Sequence, residues 1–124
     1  MSLILIVEDN EKNMKLVRDV LQAKGYATIE AVTGEDGVRL ADERKPDLIL
    51  MDIQLPGISG IDALRQLRAK PDTAGIPAVA VTASVMQQDR KLITEAGFNG
   101  YIGKPINLKE FLDTVRSTLE RFAK

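Results

Sequence analysis

The chain has 124 residues, 44% of them hydrophobic and 28% charged, which suits one soluble domain (residues 1–124) with its own core. Its 17 basic and 18 acidic side chains leave a net charge of −1, so no overall basic field exists to hold nucleic acid or an anionic membrane. No apolar run nears the roughly 20 residues of a membrane-spanning helix, and the N-terminus lacks the features of a signal peptide, so a cytoplasmic location is expected.

The elements alternate along the chain. Leu3–Val7 reads as a strand and stops at Glu8-Asp9. A helix follows over about 11–24, with Leu16, Val17, Val20 and Leu21 at helical spacing, Asn10 as its N-cap and Gly25 as its left-handed stop. A second strand covers about 27–31. A second helix runs from Thr33-Gly34 to Arg44 and ends before Pro46, because the residue preceding a proline avoids the helical region. Residues 48–51 form an unbroken apolar strand, expected to be buried on both faces as in a parallel sheet, and it stops at Asp52. A loop through Pro56-Gly57 leads to a helix over about 60–69, and a turn over 70–77 leads to a strand over 78–82 that ends at Thr82. A helix over about 86–96, a strand near 100–103 that stops at Lys104-Pro105, and a helix over about 107–123 complete the chain. The last helix carries Leu108, Phe111, Leu112, Val115, Leu119 and Phe122 at helical spacing. Five β–α units with right-handed crossovers imply an α/β fold with a parallel sheet.

In such a sheet all the polar stops emerge at the carboxyl edge, where open α/β folds bind ligands. The chain has no cysteine and no histidine, which removes thiolate chemistry, the Ser-His-Asp arrangement and the usual transition-metal ligands. A metal would have to be held by oxygen, and Glu8, Asp9 and Asp52 favour a hard ion such as Mg²⁺, with phosphate oxygens completing its shell. Lys104 adds a positive charge, and Thr82 can donate a hydrogen bond to a phosphoryl oxygen. A carboxylate can also be a covalent nucleophile that forms an aspartyl phosphate. Asp52, at the end of the most apolar strand, is the candidate, with Glu8 and Asp9 better placed to hold the metal. Each residue alone also has a plainer reading as a helix cap, turn residue or solvated loop residue; their joint register favours a site.

Asn13 falls in the apolar stripe of the first helix, so its amide is expected to bond backbone around Pro105. Gln54 and Ser84 each lie two residues beyond a site residue and are candidates to tune the lifetime of an acyl phosphate. Ala83 is small and leaves room for a phosphoryl donor.

Val7-Glu8-Asp9-Asn10, Met51-Asp52-Ile53-Gln54-Leu55-Pro56, Gly60, Val81-Thr82-Ala83 and Lys104-Pro105 occur in the order and spacing of response regulator receiver domains. Over essentially its whole length the chain resembles that family of two-component signalling, and the wording around Asp52 is similar to the single-domain, DivK-like type. The resemblance implies a doubly wound, flavodoxin-like (CheY-like) fold with five parallel strands in the order 2-1-3-4-5. It implies that Asp52 accepts a phosphoryl group from a phosphohistidine on a sensor histidine kinase or histidine phosphotransfer protein. Asp9, Asp52 and the backbone carbonyl of Gln54 would ligate Mg²⁺ or a substituting Mn²⁺, with Glu8 acting mainly through water. Thr82 would move to the phosphoryl group, Lys104 would pair with Asp52 or that group, and Tyr101 would turn inward as a switch. Lys104-Pro105 is expected to be a cis peptide that aims the lysine inward. The expected output is contact with a downstream protein or phosphorelay, by a monomer or weak dimer without an output domain. Enzymatic turnover beyond self-phosphorylation and autodephosphorylation is not expected.

Two other classes fit less well. A phosphohydrolase of the haloacid-dehalogenase type needs a second aspartate where Gln54 stands, and a flavodoxin-like carrier needs a glycine- and hydroxyl-rich loop where Glu8-Asp9-Asn10-Glu11 stands. A phosphorylation-independent adaptor of the same fold is the third alternative.

Overall fold

A computed structural model describes residues 2–83 and 87–122. Strands β1 (Leu3–Val7), β2 (Ala27–Ala31), β3 (Leu48–Asp52), β4 (Ala78–Thr82) and β5 (Gly100–Gly103) alternate with helices α1 (Glu11–Ala23), α2 (Gly34–Arg44), α3 (Gly60–Arg68), α4 (Gln87–Ala96) and α5 (Leu108–Arg121). All strand pairs are parallel, in the order β2-β1-β3-β4-β5.

Side chains on a strand point alternately to its two faces, and here each face has its own core. Leu5, Val7, Ile49, Met51, Ala78 and Ala80 pack against Ala41 of α2, Ala63, Leu64 and Leu67 of α3, and Ile93 and Ala96 of α4. Ile4, Ile6, Leu48, Leu50, Val79, Val81 and Ile102 pack against Met14, Val17 and Leu21 of α1 and Phe111 and Val115 of α5. Each large side chain buried in this way stabilises the fold by about 1.5–3 kcal/mol. The central strands β3 and β4 are buried at every position, as their continuous apolar runs imply.

The helix starts follow local chemistry. Asn10, Thr33, Ser59 and Asn107 each accept a hydrogen bond from the backbone N–H three residues on, which satisfies one of the donors a helix start leaves open. Gly25 has φ 89°, in the left-handed region expected of a stop after α1. Helix α2 instead ends on a left-handed Lys45, φ 46°, just before Pro46. The apolar stripes of α1 and α5 run wider than the sheet beneath them, so Leu16 and Leu108 are exposed although their spacing matched the buried residues.

Candidate functional site

Strand register brings the polar stops together. Val7 pairs with Met51, so Glu8 lies level with Asp52; Asp52 pairs with Val81; Thr82 pairs with Gly103, so Lys104 comes one step later. The site lies at the carboxyl ends of β1 and β3, where the strand order reverses. Parity then sorts the side chains. Glu8 continues Ile4 and Ile6, Asp52 continues Leu48 and Leu50, and Lys104 continues Ile102, all on the α1/α5 face. Thr82 continues Ala78 and Ala80 and approaches from the other face.

The Lys104 ammonium lies 2.8 Å from Glu8 Oε1 and 2.8 Å from Asp52 Oδ2, bridging two carboxylates that are 5% and 6% exposed as residues. The second oxygen of each is also engaged. Asp52 Oδ1 accepts the Gln54 backbone N–H at 3.0 Å, and Glu8 Oε2 accepts the Asn10 backbone N–H at 3.3 Å. The Lys104 backbone N–H donates to the Thr82 carbonyl at 2.9 Å, tying the end of β5 to the end of β4. The Lys104-Pro105 bond is cis, as expected. Thr82 is buried, 3% exposed.

Burial first, and then the neighbouring Asp52, push Glu8 above its ordinary carboxylate pKa, against the opposing pull of Lys104. For Lys104 burial disfavours the charge, but the bonds to Asp52 and Glu8 outweigh it and hold its pKa above the usual lysine value.

Asp9 is exposed at the rim, yet Glu8, Asp9 and Asp52 each place an oxygen within 4.8 Å of the other two. Three carboxylates against one ammonium leave two negative charges uncompensated when all are ionised. That balance and an all-oxygen donor set fit a hard divalent cation such as Mg²⁺. The loop carrying Gln54 is closed by the Gly60 N–H donating to the Ile53 carbonyl at 2.9 Å. A Cβ on Gly60 would stand 2.2 Å from the Asp52 carbonyl oxygen, so this closure needs glycine.

The remaining expected residues divide. Gln54 is exposed beside Asp52. Tyr101 is 39% exposed and points outward, with the Arg90 guanidinium 5.2 Å from its ring centre. Ser84 lies outside the described residues. Asn13 does not meet its expectation. Its backbone N–H donates to Asn10 Oδ1, and among the described residues its side chain makes no hydrogen bond to the Pro105 loop. The residue sits in the first turn of α1, half-buried, where solvent can satisfy the amide. The Glu8–Lys104 pair was not anticipated, although the period-2 continuation Ile4, Ile6, Glu8 marks Glu8 as inward-facing. A cavity of about 680 Å³, lined by Asp47, Pro77 and Phe122 at the opposite edge of the sheet, holds none of these residues.

The model of the response regulator receiver domain matches residues 4–116. The polar-differentiation response regulator DivK of Brucella anthropi is 47% identical over 116 residues, 94% of each chain. A response regulator from Chloroflexus aurantiacus superposes with a TM-score of 0.92 at 29% identity, covering 96% of this chain and 98% of that one. The receiver domain of a Pseudomonas aeruginosa sensor histidine kinase, solved with a magnesium ion in its active site cleft, superposes with a TM-score of 0.89 at 34% identity and the same coverage.

Proposed function

From the premise that this chain belongs to the response regulator receiver domain family of two-component signalling, we propose that it is a phosphoacceptor switch with Asp52 as the acceptor. One observation carries the reading: a buried aspartate, held by a lysine and a backbone amide, at the centre of an oxygen-rich cluster with excess negative charge.

In the proposed reaction an Asp52 carboxylate oxygen attacks the phosphorus of a phosphohistidine. The P–N bond breaks, its electron pair stays on the imidazole, and an aspartyl phosphate remains. Because this chain has no histidine, the donor is a partner: a sensor histidine kinase, a histidine phosphotransfer protein or a small phosphodonor. Asp9, Asp52 and the Gln54 carbonyl would hold Mg²⁺ directly and Glu8 mainly through water; Mn²⁺ can substitute. When bound, the ion neutralises charge on the phosphoryl oxygens. Lys104, already on Asp52, is positioned to pair with the transferred group. Thr82 reaches that group from the opposite face of the sheet and Tyr101 turns inward from its outward position, which gives a two-state surface for a downstream protein or a phosphorelay partner. The exposed Gln54 side chain tunes access of water to the acyl phosphate. No helix of the described residues is long and apolar enough to cross a membrane, and the reading needs neither a membrane nor nucleic acid; the switch acts as a cytoplasmic monomer or weak dimer.

The test is incubation with Mg²⁺ and a small phosphodonor, then intact mass and peptide mapping. One phosphoryl adduct on Asp52 is expected, absent in Asp52→Asn and without Mg²⁺. No adduct under conditions that label another receiver would overturn the proposal.

A further inference from the structure

The loop between β3 and α3 carries Gln54 and reaches Ser59 with almost no bonding of its own. From Leu55 to Ser59, among the described residues, the one backbone N–H with a protein acceptor is that of Ile58, which donates to Glu35 Oε1 at a long 3.5 Å. Glu35 stands in the first turn of α2. Two close approaches flank this bond. Gly34, buried at the start of α2, lies under Ile58: a Cβ there would be 2.7 Å from Ile58 Cγ1 and 2.9 Å from its carbonyl oxygen. Gly57, at φ 77°, lies under the Glu35 carboxylate, whose oxygens would be 2.6 and 2.7 Å from a Cβ. Each side contributes a glycine, and each glycine admits the partner's next residue.

Helix α2 is the fixed half of this clasp. It is capped by Thr33, Gly37 packs on Val7, and Ala41 is fully buried. The loop is the half that needs holding. We propose that Gly34 and Glu35 are positioning residues for the β3–α3 loop, fixing the backbone at Gln54 for metal binding beside Asp52. The proposal rests on the functional reading above. A ligand carried on a loop binds well only when the loop is held in place before the ion arrives. The clasp does this from a helix that contributes no side chain to the site.

The test uses the whole chain, with Mg²⁺ affinity from calorimetry and amide exchange of residues 53–58 in Mg²⁺-free buffer. Gly34→Ala is expected to weaken Mg²⁺ binding about 10-fold, the low end for losing a supporting contact of a metal ligand. It should also speed exchange in the loop, since the new Cβ must push the Ile58 backbone away from α2. Glu35→Ala should show a smaller loss, and Glu35→Gln, which keeps an acceptor oxygen for Ile58, should restore wild-type exchange and affinity. Wild-type values in both Gly34→Ala and Glu35→Ala would overturn the clasp. So would a Glu35→Gln variant that behaves like Glu35→Ala, because the carboxylate would then act through its charge alone. If Gly34→Ala does not fold, the two Glu35 variants decide. If the wild-type chain binds no Mg²⁺, the functional reading fails by itself, and loop exchange still tests the clasp.

Discussion

Lys104→Met tests the charge arithmetic of the site. Methionine keeps most of the stem's volume and removes the ammonium that lies 2.8 Å from both Glu8 and Asp52. The two buried carboxylates then face each other without a cation. Breaking such a pair typically costs about 3–5 kcal/mol, but here a proton can relieve the repulsion. The coupled pair takes up one proton, and the cost at pH 7 of protonating a carboxyl of ordinary pKa 4.5 is about 3.4 kcal/mol, from about 1.36 kcal/mol per pH unit. The loss at pH 7 without metal should therefore be near 3 kcal/mol and not much above it. The sign follows from Glu8. Its folded pKa is raised, so the stability it contributes is present below the unfolded value and is lost as pH rises through the folded one. Lys104 limits that loss in the wild type. In the variant the folded pKa rises further, so the destabilisation should grow steadily from pH 5 to pH 7. Saturating Mg²⁺ supplies the missing positive charge and should shrink it. The assay is urea unfolding followed by far-UV circular dichroism, since the chain has no tryptophan. An equal loss at pH 5 and pH 7, or one indifferent to Mg²⁺, would refute the argument.

Three further variants probe the frame around the site. Phe111→Ala empties a fully buried position on the α1/α5 face and should lower unfolding free energy by about 3–5 kcal/mol, with the urea m-value unchanged. Gly60→Ala drives a Cβ to 2.2 Å from the Asp52 carbonyl oxygen; backbone must move, so a loss of about 3 kcal/mol is expected by the same assay, together with weaker Mg²⁺ binding in calorimetry. Tyr101→Ala removes only a surface ring beside Arg90, so thermal unfolding should register a loss of about 1 kcal/mol or less; a larger loss would mean that the ring already packs inside in the unphosphorylated protein.

The fold was legible because β1, β3, β4 and, more weakly, β5 are apolar runs with a polar stop, and parallel pairing aligns the stops whichever helices lie between them. Asp52 shows this most clearly. Four buried apolar residues in a row leave only the strand's end for a carboxylate, and a lysine just past β5, two strands away, is long enough to reach it. The helices were less legible. Spacing placed Leu16 and Leu108 with the buried residues, yet both are exposed, because a helix on a five-residue strand covers only part of its own apolar stripe. Asn13 failed for the same reason: angular position on a helix gives the face but not the depth.

The unequal burial of Glu8 and Asp9 shows where a stronger sequence argument existed. Adjacent acidic residues look interchangeable as metal holders until strand parity is carried one step past the strand's end. Glu8 then falls on the face of Ile4 and Ile6, under α1, and Asp9 on the opposite side, at the rim. Burial raises the pKa of Glu8 and engages it with Lys104, while Asp9 stays open to solvent and an incoming ion. The Glu35 clasp has no such shortcut. Gly34 and Gly57 are 23 positions apart in sequence, and neither spacing nor propensity links them. Only the packing of α2 against the loop brings them together, so a contact of this kind becomes visible with the fold and not before it.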